Sequence, residues 1–207
     1  MIHLPRLYPI VDAAFFPATD QLIAFAAELV AGGCTLLQYR NKNGNARQML
    51  EQSRELKKRL ASRHTAVRLI MNDRADLCLA AEFDGVHVGQ EDLSPESVRK
   101  IIGSERWLGV STHNPVQVRE ADLTSADYLA IGPVFATSSK DKPDPVVGLD
   151  GVRRARAFTR KPLVAIGGIT RGNAASVIEA GADSVAGISD LLREPRKSAE
   201  EFLRILR

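Results

Sequence analysis

The chain has 207 residues, with 28 Lys and Arg against 25 Asp and Glu for a net charge of +3, and it is 44% apolar and 5% aromatic. That balance excludes a disordered chain, and 15 Gly with 10 Pro exclude a collagen-like or low-complexity one. The length suffices for a sizeable core, and basic residues interspersed with acids argue against a nucleic-acid footprint.

Taken in chain order, residues 1–6 show no leader-like apolar run. Apolar runs then occupy residues 7–11, 35–39, 67–71, 85–88, 107–110, 128–131, 162–166 and 184–188. Most are nearly continuous rather than alternating, as expected of parallel strands covered on both faces. No run reaches the roughly 18 residues of a membrane span. Between the runs lie helical patterns. Residues 20–31 carry Leu22, Ile23, Ala26, Leu29 and Val30 on one stripe and stop at Gly32-Gly33. Residues 45–63 carry Met49, Leu50, Leu56 and Leu60. Ser94-Pro95-Glu96 reads as a cap, a first-turn proline and a first-turn acid. Residues 173–180 end at Gly181, and Ser198 to Glu201 read as a capping box for a last helix with Phe202, Leu203 and Leu206 inward. Eight strands and about eight helices predict an α/β fold of one domain over 1–207, a (β/α)8 TIM barrel with eight parallel strands. The open doubly wound sheet is disfavoured because no Gly-x-Gly-x-x-Gly turn follows the first strand. Cys34 and Cys78 sit in apolar flanks and read as buried, without disulfide or zinc spacing. The expected compartment is the cytoplasm, with small-molecule substrates, no nucleic acid and no membrane as partners; a homo-oligomer is left open.

A β/α barrel assembles its active site at the C-terminal strand ends. After the second strand, period two puts Gln38, Arg40 and Lys42 on one side, which suits a polyanion or a solvated charged loop. Asp73, Asp92 and Ser111 follow the next three strands at intervals of 19 residues, predicting one common level. The two acids read either as helix caps or, facing Arg40 and Lys42, as Mg²⁺ ligands beside a polyphosphate. Gly167-Gly168 after the seventh strand, and Ser189 after the eighth, read as a phosphate site or a tight turn. The long segment 135–147 reads as a functional loop. His87 reads as a packed histidine, His3 and His64 as surface positions, and His113 lacks an obvious carboxylate partner. No nucleophile elbow, P-loop or His-Glu-x-x-His occurs.

The motifs Gln38-x-Arg40-x-Lys42, Asn72-Asp73, Gly85 to Asp92 and Gly109 to His113 occur in order, followed by Gly132 to Lys140, Gly148-Leu149, Ala165 to Ile169 and Ile188-Ser189. Together they resemble the thiamine-phosphate synthase family, also called thiamine-phosphate pyrophosphorylase, through most of the chain. The resemblance implies an eight-fold barrel and Mg²⁺. It implies joining of 4-amino-2-methyl-5-(diphosphooxymethyl)pyrimidine to 4-methyl-5-(2-phosphoethyl)thiazole, with release of pyrophosphate. It implies Gln38, Arg40, Lys42, Asn72, Ser111 and Lys140 at the pyrimidine diphosphate. Arg40, Lys42, Ser111 and Lys140 would be catalytic, and Asp73 and Asp92 metal ligands. Thr137, Ser138, Ser139, Gly168, Ile188 and Ser189 would contact the thiazole phosphate. Ala136 stands where the family often has proline, and residues 141–145 carry extra charge and two prolines. Thiazole tautomerases share the barrel and typically lack the Asn-Asp pair and second acid, so Asn72, Asp73 and Asp92 favour the synthase. A non-catalytic phosphate-ligand sensor is the more distant alternative.

Overall fold

Alternate strand residues turn to two different apolar layers, one outside and one inside a closed sheet. In the computed structural model, which describes residues 2–61, 66–137 and 144–207, eight parallel strands pair in chain order and the eighth returns to the first. They are β1 (Leu7–Asp12), β2 (Leu36–Arg40), β3 (Arg68–Asn72), β4 (Gly85–Val88), β5 (Trp107–Thr112), β6 (Tyr128–Ile131), β7 (Leu163–Ala165) and β8 (Ser184–Gly187). The helices between them are α1 (Thr19–Ala31), α2 (Ala46–Ala61), α3 (Ala75–Ala80), α4 (Pro95–Ile102), α5 (Pro115–Asp122), α6 (Gly148–Phe158), α7 (Ala174–Glu179) and α8 (Pro195–Ile205). The expected (β/α)8 barrel is the observed fold.

Outward strand residues such as Val11, Leu37, Met71, Val86, Leu108, Leu129 and Val185 pack against the helices in the larger core. Inward residues Tyr8, Ile10, Leu36, Ile70, Tyr128, Ala130, Val164 and Ala186 fill the barrel in a second cluster. Among the described residues no helix is long and apolar enough to cross a membrane.

The lower rim repeats a device at β3, β5 and β7. Asp84 Oδ2 accepts from the Leu69 N–H at 2.7 Å, Asp127 Oδ2 from Leu108 at 2.7 Å and Asp183 Oδ2 from Leu163 at 2.8 Å. Each acid satisfies a strand-starting donor that would otherwise be orphaned. Arg99 and Arg156 pair with Asp127 and Asp183 at 2.7 and 2.8 Å.

Helix α2 starts with a capping box: Asn45 Oδ1 accepts from Gln48 N–H at 3.0 Å, and Gln48 Oε1 accepts from Asn45 N–H at 3.2 Å. Ser94 caps α4 as expected, by accepting from Ser97 N–H. The capping box expected at Ser198 is a correction. Helix α8 begins at Pro195, placing Ser198 inside it and burying its Oγ without a hydrogen-bond partner. Proline suits a first helical turn, where its missing N–H costs nothing. The inward Phe202 and Leu206 are as expected, and Leu203 is partly buried.

Candidate active site at the barrel mouth

Four strands extend one or two residues beyond their apolar runs, so several polar side chains stand inside the mouth rather than on the loops. Arg40 ends β2, Asn72 ends β3, and Ser111 lies within β5. The β1–β2 register sets Asp12 beside Arg40. Asp12 is buried, and its two oxygens divide the work: Oδ2 pairs with the Arg40 guanidinium, while Oδ1 accepts from Ala14 N–H at 3.0 Å. Asp12 is the functional neighbour that sequence reasoning missed. Its carboxylate following an apolar strand was a signal, and only strand pairing names its partner.

Lys42 lies on the loop after β2, exposed, and its ammonium pairs with Asp73 after β3. Asp73 has φ 60°, a backbone region that few residues other than glycine adopt. Its side chain does not cap α3, whose N-cap is Arg74 without a side-chain cap bond. Asp92 is exposed, and its Oδ2 accepts from Gly89 N–H at 2.8 Å, closing the turn after β4. Burial raises the Asp73 carboxyl above its ordinary value; Lys42 opposes that, and the adjoining Asp92 adds to it. Asp73 and Asp92 therefore meet. Of the three residues expected at one level, Asp73 and Asp92 come together, and Ser111 bonds His87 Nε2 at 2.9 Å. Asp92 folds back on its own turn, whereas Ser111 stays in the strand.

Gln38 is buried and donates from Nε2 to Tyr8 Oη at 3.1 Å. His87 is packed, as read from its apolar flanks, between Tyr128 and Ser111. His113 does have an acid partner, one far away in sequence: its Nδ1 lies 3.4 Å from Asp144 and 2.7 Å from the Gly132 carbonyl oxygen. That contact lashes one end of the 135–147 loop to β5, and the loop re-enters α6 through Val147 N–H on Pro133 O at 2.9 Å.

Gly167 and Gly168 have φ 99° and 61°. A Cβ at Gly168 would lie 2.4 Å from Ala136 O, and one at Gly167 would lie 2.5 Å from Pro133 Cβ. The close approach these glycines permit is thus to the neighbouring β6 loop, in addition to any anion. Ile188 and the exposed Ser189 follow β8, with Ser189–Leu191 forming a 3-10 turn. Arg171 ties this corner together. Its N–H and Nε reach Asp190 Oδ2 at 2.8 and 3.0 Å, and its guanidinium also pairs with Glu201 of α8. Thr137 is half-buried on the β6 loop; Ser138, Ser139, Lys140 and His64 lie outside the described residues.

A family model described as thiamine monophosphate synthase matches residues 7–191. The chain belongs to the thiamine monophosphate synthase family. It is similar to a thiamine-phosphate synthase of Koribacter versatilis, 62% identical over 99% of this chain and 97% of that one. A relative of the same name from Chloroflexus aurantiacus is 45% identical over 89% of this chain and 83% of its own. A thiamine phosphate pyrophosphorylase from Pyrococcus furiosus superposes with a TM-score of 0.85 at 32% identity, covering 97% of this chain and 95% of that one. A tryptophan synthase α-subunit from the same organism, at 14% identity and a TM-score of 0.70, shares the fold alone. Family membership makes the chain an enzyme, a transferase.

The family resemblance implies Mg²⁺, and the donor set suits it. Asp73 and Asp92 offer only oxygens, and such an ion typically takes one or two carboxylates plus phosphate oxygens and water. Among the described residues no cluster of three or more His, Cys, Asp or Glu forms, so a closed all-protein cage of those types is not what these residues build.

Burial depresses the His87 imidazole to about 4. Above pH ~6.5 the folded and unfolded chains are both neutral there. Between about 6.5 and 4 only the unfolded chain takes up the proton, so stability falls with pH by about 1.4 kcal/mol per unit, roughly 3 kcal/mol in all. Below that window both states are charged and the loss levels off. Denaturation midpoints measured from pH 7 to 4 should therefore fall more steeply for the parent chain than for His87→Gln; parallel curves would contradict this.

Proposed function

We propose that the chain condenses 4-amino-2-methyl-5-(diphosphooxymethyl)pyrimidine with 4-methyl-5-(2-phosphoethyl)thiazole, its carboxylated form included, giving thiamine phosphate and pyrophosphate in the cytoplasm. The observation that carries this reading is the paired charge at the mouth: Arg40 on Asp12, and Lys42 on Asp73 beside Asp92. The bond between the pyrimidine methylene and the diphosphate oxygen breaks, and its electron pair leaves with the diphosphate. The amino-substituted ring spreads the positive charge left behind. The thiazole nitrogen then donates its lone pair to the methylene carbon, so no protein nucleophile is required.

Arg40 and Lys42 stabilise the charge that grows on the departing group, and Lys140 joins them from the loop by its place in the family motif. Asp73 and Asp92 would hold Mg²⁺, which would supply further neutralisation of that charge. Lys42 can leave Asp73 for the diphosphate, because its side chain is exposed and flexible while Asp73 is held by its backbone. Asp12 holds the Arg40 guanidinium ready at a fixed place, so little ordering remains for the reaction step. Asn72 is buried at the end of β3, and Gln38 is buried within β2. Thr137, Ser138, Ser139, Gly168, Ile188 and Ser189 are proposed to hold the thiazole phosphate. The 135–147 loop is proposed to keep water from the methylene cation.

Pyrophosphate release measured with both substrates, then with each omitted, tests the reading. Release only when both are present is expected; none with both, or equal release without the thiazole, would overturn it. Asp92→Asn should raise the Mg²⁺ concentration for half-maximal rate by about tenfold, the effect of losing one ionic ligand worth on the order of 1.4 kcal/mol. An unaltered magnesium titration would leave Asp92 as a turn-closing residue.

A further inference from the structure

The barrel interior is apolar around Leu36, Ile70, Ala130, Val164 and Ala186, yet it contains an unbroken line of polar atoms. Gln38 Nε2 donates to Tyr8 Oη at 3.1 Å; Tyr8 Oη lies 3.0 Å from Tyr128 Oη. Tyr128 Oη lies 3.1 Å from His87 Nδ1, and His87 Nε2 lies 2.9 Å from Ser111 Oγ. Five side chains from five strands are thus joined end to end. Room for them exists because residue 109 is glycine: a Cβ there would lie 2.1 Å from Tyr128 Cζ and 2.3 Å from His87 Nδ1. Apolar side chains would fill this space without any need for partners.

The line has a direction. Tyr8 accepts from Gln38, and among the described residues its own proton has one acceptor in reach, Tyr128 Oη. Were that bond reversed, the Tyr8 proton would be buried without an acceptor, which is costly. Tyr128 therefore donates to His87 Nδ1. With Nδ1 accepting from Tyr128, the ring proton sits on Nε2 and goes to Ser111 Oγ. Ser111 is left with its own hydroxyl proton to give away. Gln38 has one of its two amide N–H groups committed to Tyr8, and its carbonyl oxygen is the only acceptor its side chain can offer.

We infer that Tyr8, Tyr128 and His87 are positioning residues that act as a polarity relay, holding Gln38 as an acceptor and Ser111 as a donor toward the molecule bound in the mouth. This rests on the reading above that an aminopyrimidine diphosphate binds there. An amino-substituted ring offers both an N–H donor and ring-nitrogen acceptors, which match one acceptor and one donor. Reversing the line would reverse both ends together, so a wrong polarity at Gln38 is coupled to a wrong polarity at Ser111 across the barrel.

The ring-nitrogen tautomer of His87 decides the direction. Long-range ¹H–¹⁵N correlation on the full chain, with the His87 signals assigned by their loss in His87→Gln, should show protonated Nε2 and bare Nδ1. Protonated Nδ1 would overturn the relay as drawn. Tyr128→Phe and Tyr8→Phe should each mix the two tautomers and raise KM for the pyrimidine diphosphate by about tenfold, leaving KM for the thiazole phosphate within about twofold. Folded variants with unchanged KM, or with both KM values raised alike, would also overturn it. A chain with protonated Nε2 that releases no pyrophosphate would sink the substrate reading and leave the relay's direction standing.

Discussion

Arg40→Met is expected to lower kcat/KM for pyrophosphate release by about 100- to 1,000-fold, the scale of losing one preorganised donor to a developing anion. The same change should also destabilise the chain. Asp12 is 3% exposed and would remain as a buried carboxylate stripped of its cation, which costs on the order of 3–5 kcal/mol. The two effects separate in the double variant Asp12→Asn with Arg40→Met. Removing both charges should restore most of the denaturation midpoint and none of the turnover. Recovery of turnover in the double variant would show that Arg40 acts only by neutralising Asp12.

Gly109→Ala is expected to be the most damaging single methyl group in the barrel. His87 is held at both ring nitrogens and Tyr128 by two hydrogen bonds at its hydroxyl, so neither ring yields readily to a carbon placed 2.1 and 2.3 Å away. Overpacking of this kind costs roughly 3 kcal/mol or more, and here it would also part His87 from Tyr128. Gly172→Ala is the control, since its nearest neighbour would be Thr170 Oγ1 at 3.7 Å. Urea denaturation of the two variants should show a large loss for the first and a change within about 0.5 kcal/mol for the second. Comparable midpoints would mean that the interior is looser than these distances say.

What could be read from the chain depended on whether the cause was local. Continuous apolar runs are a local consequence of cover on both faces, so the eight strands and the barrel were legible in full. Gln38 and Arg40 were legible together because period two acts within one strand, whereas Lys42 lies on the loop beyond it. Equal spacing brought Asp73 and Asp92 together, and the turn that Asp92 closes through the Gly89 N–H was not legible. Contacts made by register or by distant loops were hidden: Asp12 with Arg40, His113 with Asp144, and Tyr8 with Tyr128. Ser198 misled because a capping pattern inside a helix looks like one at its start, and Pro195 was the stronger signal. Gly167-Gly168 suggested an anion, and the structure adds a second demand on the same backbone from Pro133 and Ala136.

The Arg171 junction makes the terminal helix a remote handle on the catalytic face. Glu201 contributes nothing to the mouth, yet one guanidinium carries any slackening of α8 to Asp190, next to Ser189. A loosening of α8 at Glu201 would reach the segment after β8 through a single side chain.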